Sequence, residues 1–571
     1  MPLNLSKLRS RHAAVAFFAL AAFANAARLP SSARQPTSSL TFKCDLPSAI
    51  DPSIDGLPSA EEQFFSYHAM IRQVERLQAV ARIPTVCFED LRPFDEDERW
   101  KPFEEMHAVV EMTYPIIHER AVVETINRFG LVYTIHGSDS TLSPILLTAH
   151  QDVVPVEEDM SKWEHPPFEA HFDGESLWGP GVIQDKGVLT AVMSAVESLL
   201  TDYSWMPERT LLLAVGFDEE CSGSHGAAEI SQFLGSRYGQ DGIAAILDEG
   251  GQGLQSLGDT LYALPAVYEK GYLDVWFDLD VVGGPSSNPP PYTAIGIMSE
   301  LVVALEEIKF KPEVIEDGPV HRHLQCQTRY SPDADRELTE LVHSHNLDGM
   351  ANHLSQSHET QYLIQTSQAV NRINGIGKLN SLPGYVYLGT DFRSAPQDDV
   401  LKLQRAIVDA ASKVSSKYDL QLQAFEDDKA YQKSAKNAGS SKSNPQRDLN
   451  RNGTLNLRAK HISDVTPISP TEGLVWDILA GTIRHSFSFN GTVVPVGETM
   501  LGNTDSRHYL GLSSHVYRWA PIRNGAFENF RTANERVRMT AHMEMVGFYY
   551  DLIRNLNSGK RSDAIFLTSE L

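Results

Sequence analysis

The amino-acid sequence predicts an α/β fold, a mostly parallel twisted sheet interrupted by a smaller inserted α+β domain. Three observations predict it. From Pro144 to Leu247 short apolar runs alternate with amphipathic stretches, the rhythm of a parallel sheet with helices on its faces. Near Gly271 the pattern changes to residue-by-residue alternation, as in an antiparallel strand. After Thr466 apolar strand and helix patterns return, so the first unit resumes there. A chain of 571 residues is long enough for two good cores.

Taken in order, apolar residues recur at helical spacing from Glu61 to Arg82, and again around Ala121 to Phe129. Pro144 to Ala149 is a short apolar run that fits a buried strand. After Lys186, the positions Val188, Leu189, Val192, Ala195, Val196, Leu199 and Leu200 follow a helical period. Leu211 to Phe217 is a second buried strand, Gly226 opens a helix, and Ile243 to Leu247 is a third strand. In the insertion, strands are expected at Tyr272–Val282, Leu379–Phe392 and Leu420–Phe425, with a helix over Thr293–Leu305 after the proline-rich Pro285–Pro291. The expected plan is a first domain from 60–271 and 463–556, an insertion at 272–426, an exposed loop at 427–462 and a Ser/Pro-rich linker at 27–59.

The first 26 residues read as a targeting segment. Lys7, Arg9 and Arg11 precede an apolar run from Ala13 to Ala24, and Ala24-Asn25-Ala26 has cleavage-site spacing, the layout of a signal peptide. The run is shorter than the roughly 20 residues that span a bilayer, so membrane attachment requires it to stay uncleaved as an anchor. Entry into the secretory route, ending in a vacuole or outside the cell, agrees with N-x-S/T sequons at Asn452 and Asn490. Cys44, Cys87, Cys221 and Cys326 are scattered without a C-x-x-C pair, which permits one or two disulfides and argues against a cysteine-rich metal site. A net charge of −25 leaves no excess of Lys and Arg for a nucleic-acid partner.

Reactive residues gather at the predicted strand ends. His150 and Asp152 follow the first strand, Glu219 and Glu220 the second, and Asp248 and Glu249 the third. Gln184 and Asp185 open the amphipathic helix, and His508 lies in the loop that begins at Gly502. Carboxyl ends of parallel strands share one crevice, where open α/β folds bind ligands. Imidazole and carboxylates at three successive ends are the donor set that suits paired zinc ions.

With those residues in place, the sequence resembles a known family. His150-Gln-Asp152, the Trp163…Pro166-Pro-Phe168 stretch, Phe217-Asp-Glu-Glu220, Leu247-Asp-Glu-Gly250 and Gly502-Asn-Thr-Asp505 are similar to the motifs of the co-catalytic zinc aminoacylase/carboxypeptidase family. Ser469 to Thr482 resembles a segment of its fungal carboxypeptidase-S (Gly-X carboxypeptidase) branch. The resemblance implies a zinc-peptidase catalytic domain with a lid or dimerisation insertion, and hence a possible homodimer. It implies two zinc ions if the bridging position is functional, acting on a short peptide or N-acyl amino acid. His150 and Asp248 would hold one ion, with Glu249 in reserve, and Glu220 the other. Asp152 would orient His150, Glu219 would be the general base, and Arg393 in Gly389-Thr-Asp-Phe-Arg393 would grip a terminal carboxylate.

Three positions depart from the family pattern. Gln184 stands where the bridging aspartate belongs, and Asp185 is the candidate to replace it as metal ligand. Pro285 replaces a histidine that stabilises the oxyanion. Arg531 in Arg531-Thr-Ala-Asn-Glu535 replaces the last zinc-binding histidine, for which His508 is a substitute candidate. Two readings follow: a metallo-exopeptidase, and an inactive homologue that keeps the shape and binds a peptide or partner.

Overall fold

The structure is a computed structural model, and it describes residues 44–375, 377–437, 452–487 and 489–557. The targeting segment at 1–26 lies outside the described residues.

The first domain is built on eight strands in the spatial order Val122–Ile126, Gly130–Ile135, Leu211–Gly216, Ile145–His150, Ala245–Asp248, Val516–Arg518, Ala266–Glu269 and Glu498–Met500. Its middle is parallel, where Ile145–His150 lies between Leu211–Gly216 and Ala245–Asp248. Period-two alternation sends successive side chains to opposite faces. Leu211, Leu213 and Val215 pack with the helices Lys186–Thr201 and Met539–Leu556, while Leu212 and Ala214 pack with the helix Ala227–Tyr238. Both faces are covered, so these strands read as unbroken apolar runs. Register then sets the chemistry side by side: His150 pairs with Gly216, and Leu147 pairs with Leu247, one residue before Asp248.

The inserted sheet runs Ser367–Asn374, Tyr385–Ser394, Gly271–Val281, Gly453–Ser463 and Gln421–Ala424. Leu273, Val275, Phe277 and Leu279 alternate inward against the helices Ala294–Glu306 and Val400–Lys417.

Four expectations need correction. The stretch 427–462 is not one exposed loop: Gly453–Ser463 pairs with Gly271–Val281 and buries Leu455 and Leu457, while 438–451 lies outside the described residues. The segment 27–59 is not a free linker where it is described. Cys44 is buried and disulfide-bonded to Cys326, and Ile50 N–H donates to the Gly481 carbonyl. Val122–Ile126 is an exposed edge strand rather than a helix. Finally, not all of 272–426 belongs with the inserted sheet: the helix Pro319–Tyr330 brings Cys326 against Tyr262, Leu264 and Val494 of the first domain.

One buried group makes this core acid-sensitive. His542, on the helix Met539–Leu556, is fully buried, and neither ring nitrogen bonds to a described residue. Burial pushes its pKa down to about 4. The unfolded chain protonates this imidazole near its ordinary pKa of about 6.5, so stability falls as pH drops from there towards about 4, by ~3 kcal/mol in all. His542→Phe should remove that component, seen as a smaller loss of urea midpoint between about pH 7 and about pH 4.5. An unchanged pH dependence would show that His542 is not the acid-sensitive group.

Candidate metal centre

The strand Ile145–His150 delivers His150 to the crevice, and its neighbours fix it there. His150 Nδ1 lies 3.1 Å from Asp152 Oδ1, with both side chains buried. Asp152 also accepts from the Glu219 N–H at 3.2 Å and the Glu220 N–H at 2.9 Å. One carboxylate thus ties the imidazole to the turn Glu219–Cys221, which the Cys87–Cys221 disulfide anchors from the other side. An Nδ1–H donated to Asp152 leaves the Nε2 lone pair for a ligand. Nε2 is buried, accepts no hydrogen bond from the described residues, and lies 3.8 Å from Glu219 Oε2. Burial opposes charge on this imidazole, but Asp152, Asp185 and Glu219 together raise its pKa well above the ordinary value.

The carboxylates differ in what they already hold. Asp248 accepts from Thr148 Oγ1 at 2.6 Å and from the Ser506 N–H at 2.8 Å. Asp185 accepts the His150 N–H at 2.8 Å through Oδ2, while its Oδ1 has no partner among the described residues. Gln184 donates its amide to Glu249 Oε2, and Glu249 Oε1 is unbonded. Asp505, in the Gly502–Asp505 motif but without a role assigned by sequence, is buried, and neither of its oxygens has a partner among the described residues. It fits only because its neighbours are glycine: a Cβ at Gly216 would lie 2.4 Å from Asp505 Oδ2, and one at Gly223 2.2 Å from Oδ1. Burial first raises the pKa values of Glu220 and Glu249, and repulsion adds to it, from Glu219 on Glu220 and from Asp185 and Asp248 on Glu249. Burial also leads the upward shifts of Asp185, Glu219 and Asp505, with His150 pulling the other way and neighbouring carboxylates adding to the rise.

Lys186, the last residue of the Gly179–Lys186 stretch that matches a family motif, is a second residue to which the sequence assigns no role. It is fully buried, donates to the Ile83 carbonyl, and burial brings its pKa down to about 7.

The three departures fall in different places. Arg531 Nη2 lies 2.8 Å from Glu220 Oε1 and 3.7 Å from Glu219 Oε2. His508 stays outside the cluster, with Nε2 3.0 Å from the Ser222 carbonyl. Pro285 is exposed on the insertion, paired with Ser381. Arg393 stacks 4.2 Å over the Tyr272 ring and donates to Asp391 and, at 2.8 Å, to Asn503 Oδ1. Asn503 in turn donates to the Lys270 carbonyl, which joins the arginine to the loop that carries Asp505. Beside Gln184 and Glu249 opens a cavity of about 290 Å³, walled largely by apolar groups including Ile183, Met500, Leu501, Ile522, Phe527 and Phe530.

A family model for peptidase family M20/M25/M40 matches residues 146–555. The chain belongs to that peptidase family. Carboxypeptidase S of Saccharomyces cerevisiae is 35% identical over 85% of this chain and 84% of its own length. An uncharacterised carboxypeptidase of Schizosaccharomyces pombe is 34% identical over 92% of this chain and 86% of its own. An N-fatty-acyl-amino acid synthase/hydrolase of Bos taurus is 28% identical over 86% and 89%. Among solved structures, the M20 family metallo-carboxypeptidase Sso-CP2 of Sulfolobus solfataricus superposes with a TM-score of 0.55 at 15% identity, covering 84% of this chain and 98% of that one. Human carnosine dipeptidase 1 gives 0.56 at 13%, covering 87% and 99%. These two carry the fold, and the M20 sequence match carries the family.

M20 peptidases are metal-dependent, and the cluster around His150 in this M20 chain offers donors for an ion. His150 Nε2, Asp185 Oδ1, Glu249 Oε1 and both Asp505 oxygens are buried acceptors without donors among the described residues, and buried acceptors in that state are costly unless a cation meets them. At Glu220 the fit is limited by a neighbouring cation. His150, Glu219 and Glu220 have donor atoms within 4.8 Å of one another, but the Arg531 guanidinium already occupies Glu220.

Proposed function

We propose that this chain is a zinc metallo-exopeptidase that hydrolyses the C-terminal amide of short peptides or of N-acyl amino acids, with Glu219 as general base. One observation carries the reading: a buried Glu219 carboxylate lies 3.8 Å from the unbonded His150 Nε2, at the carboxyl end of a parallel sheet. Zinc held by His150 with Asp185, Asp248 and, where it is free, Glu220 would acidify a water and polarise the scissile carbonyl.

The chain's own groups do the rest. Glu219 takes the proton of the attacking water and returns it to the leaving nitrogen as the C–N bond breaks. Burial raises its pKa, which suits a group that must both accept and donate. Asp152 keeps His150 in the tautomer that offers Nε2. Arg393, braced by Asp391 and Asn503, meets the terminal carboxylate with a planar fork. The apolar cavity beside Gln184 receives the acyl or side-chain portion next to the scissile bond. The relatives support both substrate classes, one being a carboxypeptidase and another an N-fatty-acyl-amino acid hydrolase.

Secretory entry belongs to the same proposal. It is supported by the exposed sequon residues Asn452 and Asn490 and by the pairing of all four cysteines. Among the described residues no helix is long and apolar enough to cross a membrane. Assembly as a homodimer through the insertion is supported by Ile295 and Val303, exposed on one helix, and by Ile373, exposed on an edge strand.

The test is hydrolysis of Gly-Leu-type dipeptides and N-acyl amino acids by zinc-loaded protein. Arg393→Ala should raise KM by about 10- to 100-fold, the worth of a charge-assisted hydrogen bond, with a smaller change in kcat. An unchanged KM would remove Arg393 from the substrate site.

A further inference from the structure

The strongest unexplained feature of the site is a cation that the chain itself supplies. The inference drawn from it rests on the metallo-exopeptidase reading. Glu220 is nearly buried and its Oε1 lies 2.8 Å from Arg531 Nη2, with Glu219 Oε2 at 3.7 Å from the same nitrogen. A guanidinium stays protonated and has no lone pair for a metal. A second ion on Glu220 would have to sit against it, like charge on like charge.

The surrounding turn builds this arrangement in. Asn529, Arg531 and Asn534 all adopt left-handed backbone angles, which aim the segment back at the crevice. The Arg531 N–H donates to Glu535 Oε2 at 3.1 Å, and the other oxygen of Glu535 accepts the Ile183 N–H at 3.1 Å. Glu535 is buried, so the turn is pinned beside Gln184. Gln184 adds no charge, and its amide donates to Glu249 rather than accepting from the cluster.

Elsewhere in the cluster the balance is reversed. Asp185 Oδ1, Glu249 Oε1 and both oxygens of Asp505 are buried acceptors with no donor among the described residues. Among the described residues the Arg531 guanidinium forms ion pairs with Glu219 and Glu220 but with none of these three carboxylates. We propose that the chain takes one divalent ion rather than two, and that Arg531 is the permanent cation of the Glu220 side. The guanidinium then provides, without a second metal, the fixed positive charge beside Glu219 that faces the developing negative charge of the substrate.

Ion counting by elemental analysis on the full chain, loaded with excess zinc and then dialysed, tests this directly. The native protein should hold one zinc, and Arg531→His, which frees Glu220 and adds an imidazole, should hold two. Two zinc ions in the native protein, none in the native protein, or still only one in a folded Arg531→His variant would overturn the proposal. Glu220→Gln is the second variant, since it keeps shape and removes only charge. Retention of one zinc there supports Arg531 as the partner of Glu220, and loss of the ion overturns it by making Glu220 the ligand. Turnover is scored separately. One zinc with no hydrolysis of any amide would sink the exopeptidase reading and leave the ion count standing. Two zincs with turnover dependent on Glu219 would keep the exopeptidase and remove the role given to Arg531.

Discussion

Glu219→Gln is expected to lower turnover by about 10²- to 10⁴-fold, the range for loss of a positioned general base, while the zinc content and the fold stay as they are. The side chain is nearly isosteric, and among the described residues Glu219 makes no side-chain hydrogen bond; it lies 3.8 Å from His150 and 3.7 Å from Arg531. The backbone N–H of residue 219 continues to donate to Asp152, so the turn and the imidazole keep their positions. What is lost is the capacity to take a proton from water and give it to the leaving amine. Single-turnover rates on a dipeptide, read beside elemental analysis of the same sample, separate this from a loss of metal. A variant that keeps full activity would move the base elsewhere. A variant that loses its zinc would make Glu219 a ligand, and the proton carrier would have to be sought among Asp185 and Glu249.

Much of this centre is written locally in the chain, and some of it is not. Buried parallel strands announce themselves because both faces are covered, so Ile145–His150 and Leu211–Gly216 read as apolar runs, and the polar residues that follow them mark the crevice. Gly453–Ser463 hides for the opposite reason. Leu455 and Leu457 are buried with the small Ala459 packed beside that core, and Arg458, Lys460 and His461 are exposed, so its composition is that of a loop. Val122–Ile126 sits on a sheet edge with its valines exposed, and a five-residue exposed strand has no burial pattern to display. Long-range pairings leave no local trace at all. The disulfides join cysteines 282 and 134 residues apart, and the Arg531–Glu220 pair closes only because the last turn folds back across the sheet ends. The loss of a histidine at 531 was legible; what the arginine does instead required the geometry.

Glu269→Ala should cost about 3–5 kcal/mol, the range for breaking a buried ion pair and stranding the remaining charge. It should also weaken the site, although Glu269 is placed in no step of the reaction. Arg518 and Glu269 are both fully buried, with Arg518 Nε 3.3 Å from Glu269 Oε1. The same oxygen accepts from the Thr504 N–H at 2.9 Å, Thr504 Oγ1 at 2.6 Å and Ser506 Oγ at 3.0 Å. Arg518 also donates to Ser506 Oγ at 2.7 Å. One carboxylate therefore fastens the loop that carries Asn503, Asp505 and Ser506, the residues that brace Arg393, add a buried carboxylate to the cluster and hold Asp248. Removing it leaves a guanidinium without its counter-charge inside the core and three donors on the loop without their acceptor. The urea midpoint should fall steeply, and KM should rise in the protein that remains folded, because Asn503 no longer fixes Arg393. Glu269→Gln, which keeps an acceptor oxygen but not the charge, should recover the loop and hence KM more than it recovers stability. Equal recovery of both would mean that the charge on Glu269 matters little. A midpoint unchanged by Glu269→Ala would show that the loop is held from elsewhere, leaving Thr148 and the Cys87–Cys221 bridge as the remaining local anchors of the crevice.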